Sequence, residues 1–182
     1  MRHSMKQLLP AAILALAACG KGETAAKTGD GESSVQVPQG GGGTATTIHL
    51  VIVGGPHAGT YDAKSDDITC TYGFAGKGSW GNQYSVTGKK PDEFSSLQLI
   101  VPDTKDAADG SSNFLITAAF GELMKPGYTD HTINTTKDNK DGSGTITVDD
   151  KGKTGKVTFK GKTKDNVELE GTIDCHQLMR SE

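Results

Sequence analysis

From residue 47 to the C-terminus, apolar side chains recur with a period of two, in strand-sized runs bounded by Gly, Pro, Asn and Asp. No window carries a sustained helical stripe, so the alternation predicts strands throughout. Residues 47–53 (TIHLVIV) form a nearly continuous apolar run, which predicts a strand covered on both faces. Residues 68–72 alternate and put Cys70 on the inward face with Ile68 and Tyr72. Further strands are expected at 83–87, 97–101 and 113–120, and Phe114 to Phe120 has the apolar density of a core centre. The segment 121–144 is long for a β connection, and Thr132 to Thr135 within it reads as a concealed strand.

The last third of the chain is the most regular. Runs at 145–148, 156–162 and 167–175 are separated by Asp149-Asp150-Lys151-Gly152-Lys153 and by Lys164-Asp165-Asn166, both with turn chemistry, so they read as a three-stranded meander. In the last run Val167, Leu169, Ile173 and Cys175 share one parity, while Glu168, Glu170, Thr172 and Asp174 take the other. Cys175 therefore faces inward, as Cys70 does. About eight alternating strands in some 135 residues predict an all-β, two-sheet sandwich of immunoglobulin-like or jelly-roll kind, with a small lipocalin-like β-barrel as the alternative.

The first 46 residues follow other rules. Residues 20–46 are rich in Gly, Thr, Ser, Ala, Lys and Glu, include Gly40 to Gly43, and carry only Val35 and Val37 as sizeable apolar side chains. Such a stretch cannot bury enough surface to offset the entropy of ordering it, and as a flexible tether it would reach roughly 30 Å. Before it, Arg2, His3 and Lys6 precede an apolar run from Leu8 to Ala18. That run is shorter than the roughly 20 residues a bilayer core requires, so it reads as a removable export signal.

The signal ends in Leu16-Ala17-Ala18-Cys19. With the basic start and the apolar run, this resembles the lipobox of the bacterial lipoprotein family. The resemblance implies cleavage before Cys19, acylation of Cys19, and attachment to a membrane of the cell envelope through that lipid. Gly20 is not the aspartate that retains enteric members at the inner membrane, so the resemblance also implies the outer membrane. The domain reading is thus 1–18 signal peptide, 19–46 lipidated cysteine and tether, and 47–182 a single β domain. Once Cys19 is acylated an even pair remains, Cys70 and Cys175, and in an oxidising compartment that pair predicts one disulfide.

Charge narrows the partners. The whole chain carries a net charge of −3, and loss of Arg2 and Lys6 with the signal moves it to about −5, which gives no electrostatic basis for nucleic-acid binding. The motifs do not add up to an enzyme. Gly54-Gly55-Pro56-His57-Ala58-Gly59-Thr60 has the glycine spacing of a phosphate loop, but Thr60 stands where the lysine is required, so it reads as a turn. The acidic stretches at 103–110 and 138–144 lack the ligand order of a calcium loop and read as solvated turns, and Asp62, Asp66 and Asp67 add a third acidic cluster. His49, His57, His131 and His176 form no H-x-x-x-H or H-x-H pair, and Lys77 replaces the first glycine of a nucleophile elbow at Ser79. No metal and no cofactor is expected. The candidate binding surface comprises Phe74, Trp80, Tyr84, Tyr128 and His131, aromatic or imidazole side chains among glycines or in the long 121–144 segment; the alternative is Trp80 in the core and the long segment as an edge strand plus turns. The leading functional expectation is a non-enzymatic envelope domain that binds a partner protein or has a structural role. A carrier of a small ligand or ion is the alternative, and a hydrolase with a dispersed site is third.

Overall fold

A computed structural model of the protein describes residues 43–137 and 140–181; the signal, Cys19 and the tether up to residue 42 lie outside the described residues. The described chain forms β1 (Thr46–Val53), β2 (Gly59–Ser65), β3 (Cys70–Tyr72), β4 (Trp80–Ser85), β5 (Phe94–Val101), α1 (Thr104–Ala108), β6 (Leu115–Phe120), β7 (Thr129–Asn134), β8 (Ser143–Asp150), β9 (Gly155–Lys162), β10 (Glu168–Cys175) and β11 (Leu178–Arg180). One sheet has the order β2-β1-β10-β9-β8 and the other β11-β3-β4-β5-β6-β7. All pairings are antiparallel except β11 on β3. The two sheets pack on each other without closing into a barrel, so the fold is the sandwich and the lipocalin-like alternative is set aside.

The C-terminal meander is present as β8, β9 and β10, with Val148 opposite Val157 and Val157 opposite Ile173 on the buried face. Both cysteines face the interior, and Cys70 and Cys175 are joined by a disulfide with their Cα atoms 6.1 Å apart. The largest fully buried side chains, Trp80, Phe114, Phe120 and Phe159, come from both sheets. Trp80 lies against Gly155, where a Cβ would collide with the indole, so that glycine is what lets β9 pass over the ring. Around the disulfide, Thr69 Oγ1 sits 2.7 Å from Asn82 Oδ1 and 3.0 Å from Thr46 Oγ1. Asn82 Nδ2 donates to the carbonyl of Leu97 at 2.9 Å, so this buried polar patch is hydrogen-bonded.

Three expectations need correction. β1 is covered on one face only: Ile48, Leu50 and Ile52 are buried, while His49 is exposed and Val53 is 55 % exposed, because among the described residues no layer lies outside this sheet. The acidic stretch from Asp103 is the start of a helix, with Asp103 Oδ1 accepting from the backbone N–H of Lys105 at 2.9 Å and of Asp106 at 3.3 Å. The packed domain also begins slightly before residue 47, since Ala45 and Thr46 are fully buried and Ala45 bonds through its backbone to Ser65 and His176.

The pairings give the sandwich two distinct ends. Thr46, Cys175 and Gly155 are neighbours along one rim, with Trp80 and Val101 beside them in the second sheet, so the chain enters the domain at the disulfide end. Val53, Ser85, Phe94, Phe120 and Thr129 mark the opposite rim, where the β1–β2, β4–β5 and β6–β7 turns gather.

Candidate functional site

The β1–β2 turn at that far rim folds inward. His57 holds a left-handed backbone, φ 61°, unusual for a residue with a Cβ, and its side chain is only 6 % exposed. Its ring stacks on Phe120 with centroids 4.1 Å apart and planes 9° from parallel. His57 Nε2 lies 3.0 Å from Asp92 Oδ1, and Asp92 itself has φ 68°. Two further bonds hold the turn: His131 Nε2 donates to the carbonyl of Pro56 at 2.9 Å, and the Tyr61 hydroxyl donates to the carbonyl of His57 at 2.8 Å. Residues from β2, β7 and the β4–β5 loop thereby clasp one turn of the first sheet to the second.

An aromatic row continues from this clasp. Tyr61 on β2 meets Phe120 at 5.1 Å and Phe94 at 5.8 Å, and Phe94 on β5 stacks with Tyr84 on β4 at 5.8 Å. Beside the row, where β2 faces the second sheet across the open seam, lies a cleft of about 530 Å³. Tyr61, Ala63, Tyr84 and Phe94 line its floor, and Asp62, Lys64, Lys89 and Glu93 line its rim. Burial, and then the carboxylate of Asp92, raises the pKa of Tyr61 above the ordinary phenol value, while burial alone raises that of Tyr84. Both phenols are therefore neutral hydrogen-bonding groups at physiological pH. Asp62 is bonded to His49 at 2.7 Å, and Glu93 Oε2 accepts from the backbone N–H of Lys90 at 3.0 Å. Lys64 and Lys89 make no ion pair among the described residues.

The five aromatic and imidazole candidates do not form one surface. Trp80 is fully buried in the core and cannot serve as a contact. Phe74 packs over Gly81, on the face of β4 opposite Trp80. Tyr128 is half-buried in the β6–β7 loop, its pKa raised by burial and then by Asp130. Only Tyr84 and His131 belong to the cleft and its clasp. Sequence reading missed Tyr61, Lys64, Lys89 and Phe94 as cleft residues and His57 with Asp92 as the clasp. Their one signal was the glycine-rich turn around His57, since Asp92 lies 35 residues further on.

The clasp does not have the layout of a proton relay. Asp92 and Thr129 Oγ1, the latter at 3.5 Å, share the same nitrogen of His57, and Nδ1 is buried without a partner. Among the described residues no three His, Cys, Asp or Glu side chains converge as metal ligands. No family model matches the chain, and neither a curated protein nor a solved structure matches it.

Proposed function

We propose that this protein is a lipid-anchored bacterial envelope protein, held through acylated Cys19 at the outer membrane, whose β-sandwich recognises a partner and catalyses no reaction. The observation that carries the reading is the open, aromatic-floored cleft at the seam between β2 and the second sheet. Its position adds support. The chain enters the domain at the disulfide end, and the cleft runs along β2 from Lys64 near that end to the clasp and turns at the other. A domain fastened by one end presents its other end to whatever shares the compartment. Lys64 and Lys89 on the rim, without ion pairs among the described residues, are groups that a partner's carboxylates can pair with.

A small-ligand carrier is the second reading, favoured by the cleft volume, which falls within the range of small-molecule sites. Against it, the space between the sheets is filled by Trp80, Phe114, Phe120 and Phe159 and offers no enclosed chamber among the described residues. The test is capture from detergent-solubilised envelope with the anchored protein and with its Lys64→Glu/Lys89→Glu variant. Recognition at the cleft predicts a protein retained by the first and released by the second. Equal retention by both would move the interface elsewhere, and a bound small molecule without any protein would favour the carrier.

A further inference from the structure

The sandwich has four sheet edges, and they are not equally protected. β8 is covered by the Ser111–Ile146 bridge. The β7 edge is bridged through Asn134 to Asp141. β11 is only three residues long. β2 is different: its seven residues contain no proline and pair with β1 alone, in a register without a bulge. Every second residue of β2 therefore leaves a backbone N–H and C=O unpaired among the described residues, and the cleft beside this edge leaves room for an added strand. The charges at the edge balance. The Asp62 carboxylate, bonded to His49, stands two residues from Lys64 on the exposed face of β2, and Glu93 offsets Lys89 on the cleft rim. Such an edge favours neither an acidic nor a basic occupant, but Asp62 and Lys64 flank Ala63 in a self-complementary way.

We infer that the β2 edge takes up the β2 edge of a second copy of this chain, the two strands joining antiparallel about a two-fold axis at Ala63. The inference rests on the partner-binding reading and names the partner. Main-chain hydrogen bonds between the two free edges supply affinity, and the facing side chains set the register. With Ala63 opposite Ala63, Asp62 of each copy stands opposite Lys64 of the other, so the pairing makes two unlike contacts on the exposed face. Moving the axis by one residue in either direction sets Asp62 against Asp62 or Lys64 against Lys64, and like charges directly opposite each other disfavour both slips. On the inner face the axis residue is an alanine, so no large side chains meet at the axis. A single strand pairing is a small interface, so the pair is weak in dilute solution and depends on confinement of both copies to one membrane through Cys19.

The test uses the full acylated protein, labelled at its C-terminus with a donor or an acceptor dye and co-reconstituted in phosphatidylcholine vesicles. Energy transfer between wild-type copies is expected, and unlabelled wild-type protein should compete it away, which it cannot do for transfer by chance proximity. Hydrogen exchange over β2 should slow as the copies pair. Asp62→Lys and Lys64→Asp each turn two unlike contacts into two like ones and should weaken association roughly tenfold. The double exchange Asp62→Lys/Lys64→Asp should recover it. The two single variants should also pair with each other although neither pairs with itself, a rescue that a misfolded variant could not give. Transfer that unlabelled protein does not compete, single variants that associate as the wild type does, or a double exchange that fails to recover would overturn pairing at β2. If the copies do not pair while the anchored protein still captures an envelope protein at the cleft, partner binding stands and this inference alone fails; if it captures none, both fail.

Discussion

His57 and Asp92 are the two residues whose conformations most need explanation. Each adopts a left-handed backbone at a cost of about 1–2 kcal/mol relative to the right-handed region, and each is half of the same hydrogen-bonded pair. The stack on Phe120 and the bonds from Tyr61 and His131 offset that cost. This yields an inverted mutational order. Elsewhere in a strand or turn glycine is usually more destabilising than alanine, whereas here His57→Gly relieves the strain that His57→Ala retains. Both should destabilise, His57→Ala by about 1 kcal/mol more, as read from urea denaturation midpoints; the opposite order would deny that strain is held at this turn. Tyr61 gives a second check. Its raised pKa means that the neutral phenol is favoured in the fold, so this contribution to stability is present below pH 10 and is lost as pH rises through the folded value. Asp92→Asn should lower the Tyr61 midpoint in an ultraviolet titration and leave that of Tyr84 in place. None of this was legible in the sequence, because Asp92 and Phe120 reach His57 only through the fold.

At the level of strands, period-two alternation was a faithful guide wherever one face carries large aliphatic or aromatic side chains. β9 and β10 show it most clearly: Val157, Phe159, Leu169 and Ile173 lie inside, while Lys156, Lys160 and Lys162 pair outside with Asp174, Glu170 and Glu168. β2 escaped notice because Gly59–Ser65 has only Tyr61 and Ala63 packed against the core, and α1 because three aspartates within seven residues resembled a solvated loop. Phe159 is 1 % exposed, so Phe159→Ala should cost about 3–5 kcal/mol in chemical denaturation. The Cys70–Cys175 bridge spans 105 residues, and restricting an unfolded loop of that length stabilises by roughly 4–5 kcal/mol in the chain-entropy account. A non-reducing digest should link the two cysteine peptides, and reduction should lower the melting temperature without moving the Phe159→Ala increment. Free thiols in protein purified from an oxidising compartment would contradict the bridge.

For the molecule as a whole, the sandwich and the inward cysteines could be read from the chain, but the cleft could not, because it depends on how the sheets sit around an unclosed seam. Trp80 illustrates the limit: the chain's one tryptophan could be read as a contact or as a core residue, and it fills the core beneath Gly155. Among the described residues the domain's hydrogen bonding starts at Ala45, so a chain beginning at Gly43 should melt cooperatively and close to the temperature of the full chain. Loss of cooperativity would show that earlier residues pack on it. The central claim is that an anchored domain meets its partner through the β2 cleft, and photo-crosslinking in living cells tests it most directly. A photoreactive residue replaces either Lys89, on the cleft rim, or Lys153, in the β8–β9 turn at the disulfide end. The account predicts a discrete crosslinked protein from position 89, lost when Cys19→Ser releases the domain from the membrane, and none from position 153. The same adduct from both positions, or an adduct from position 153 alone, would contradict it.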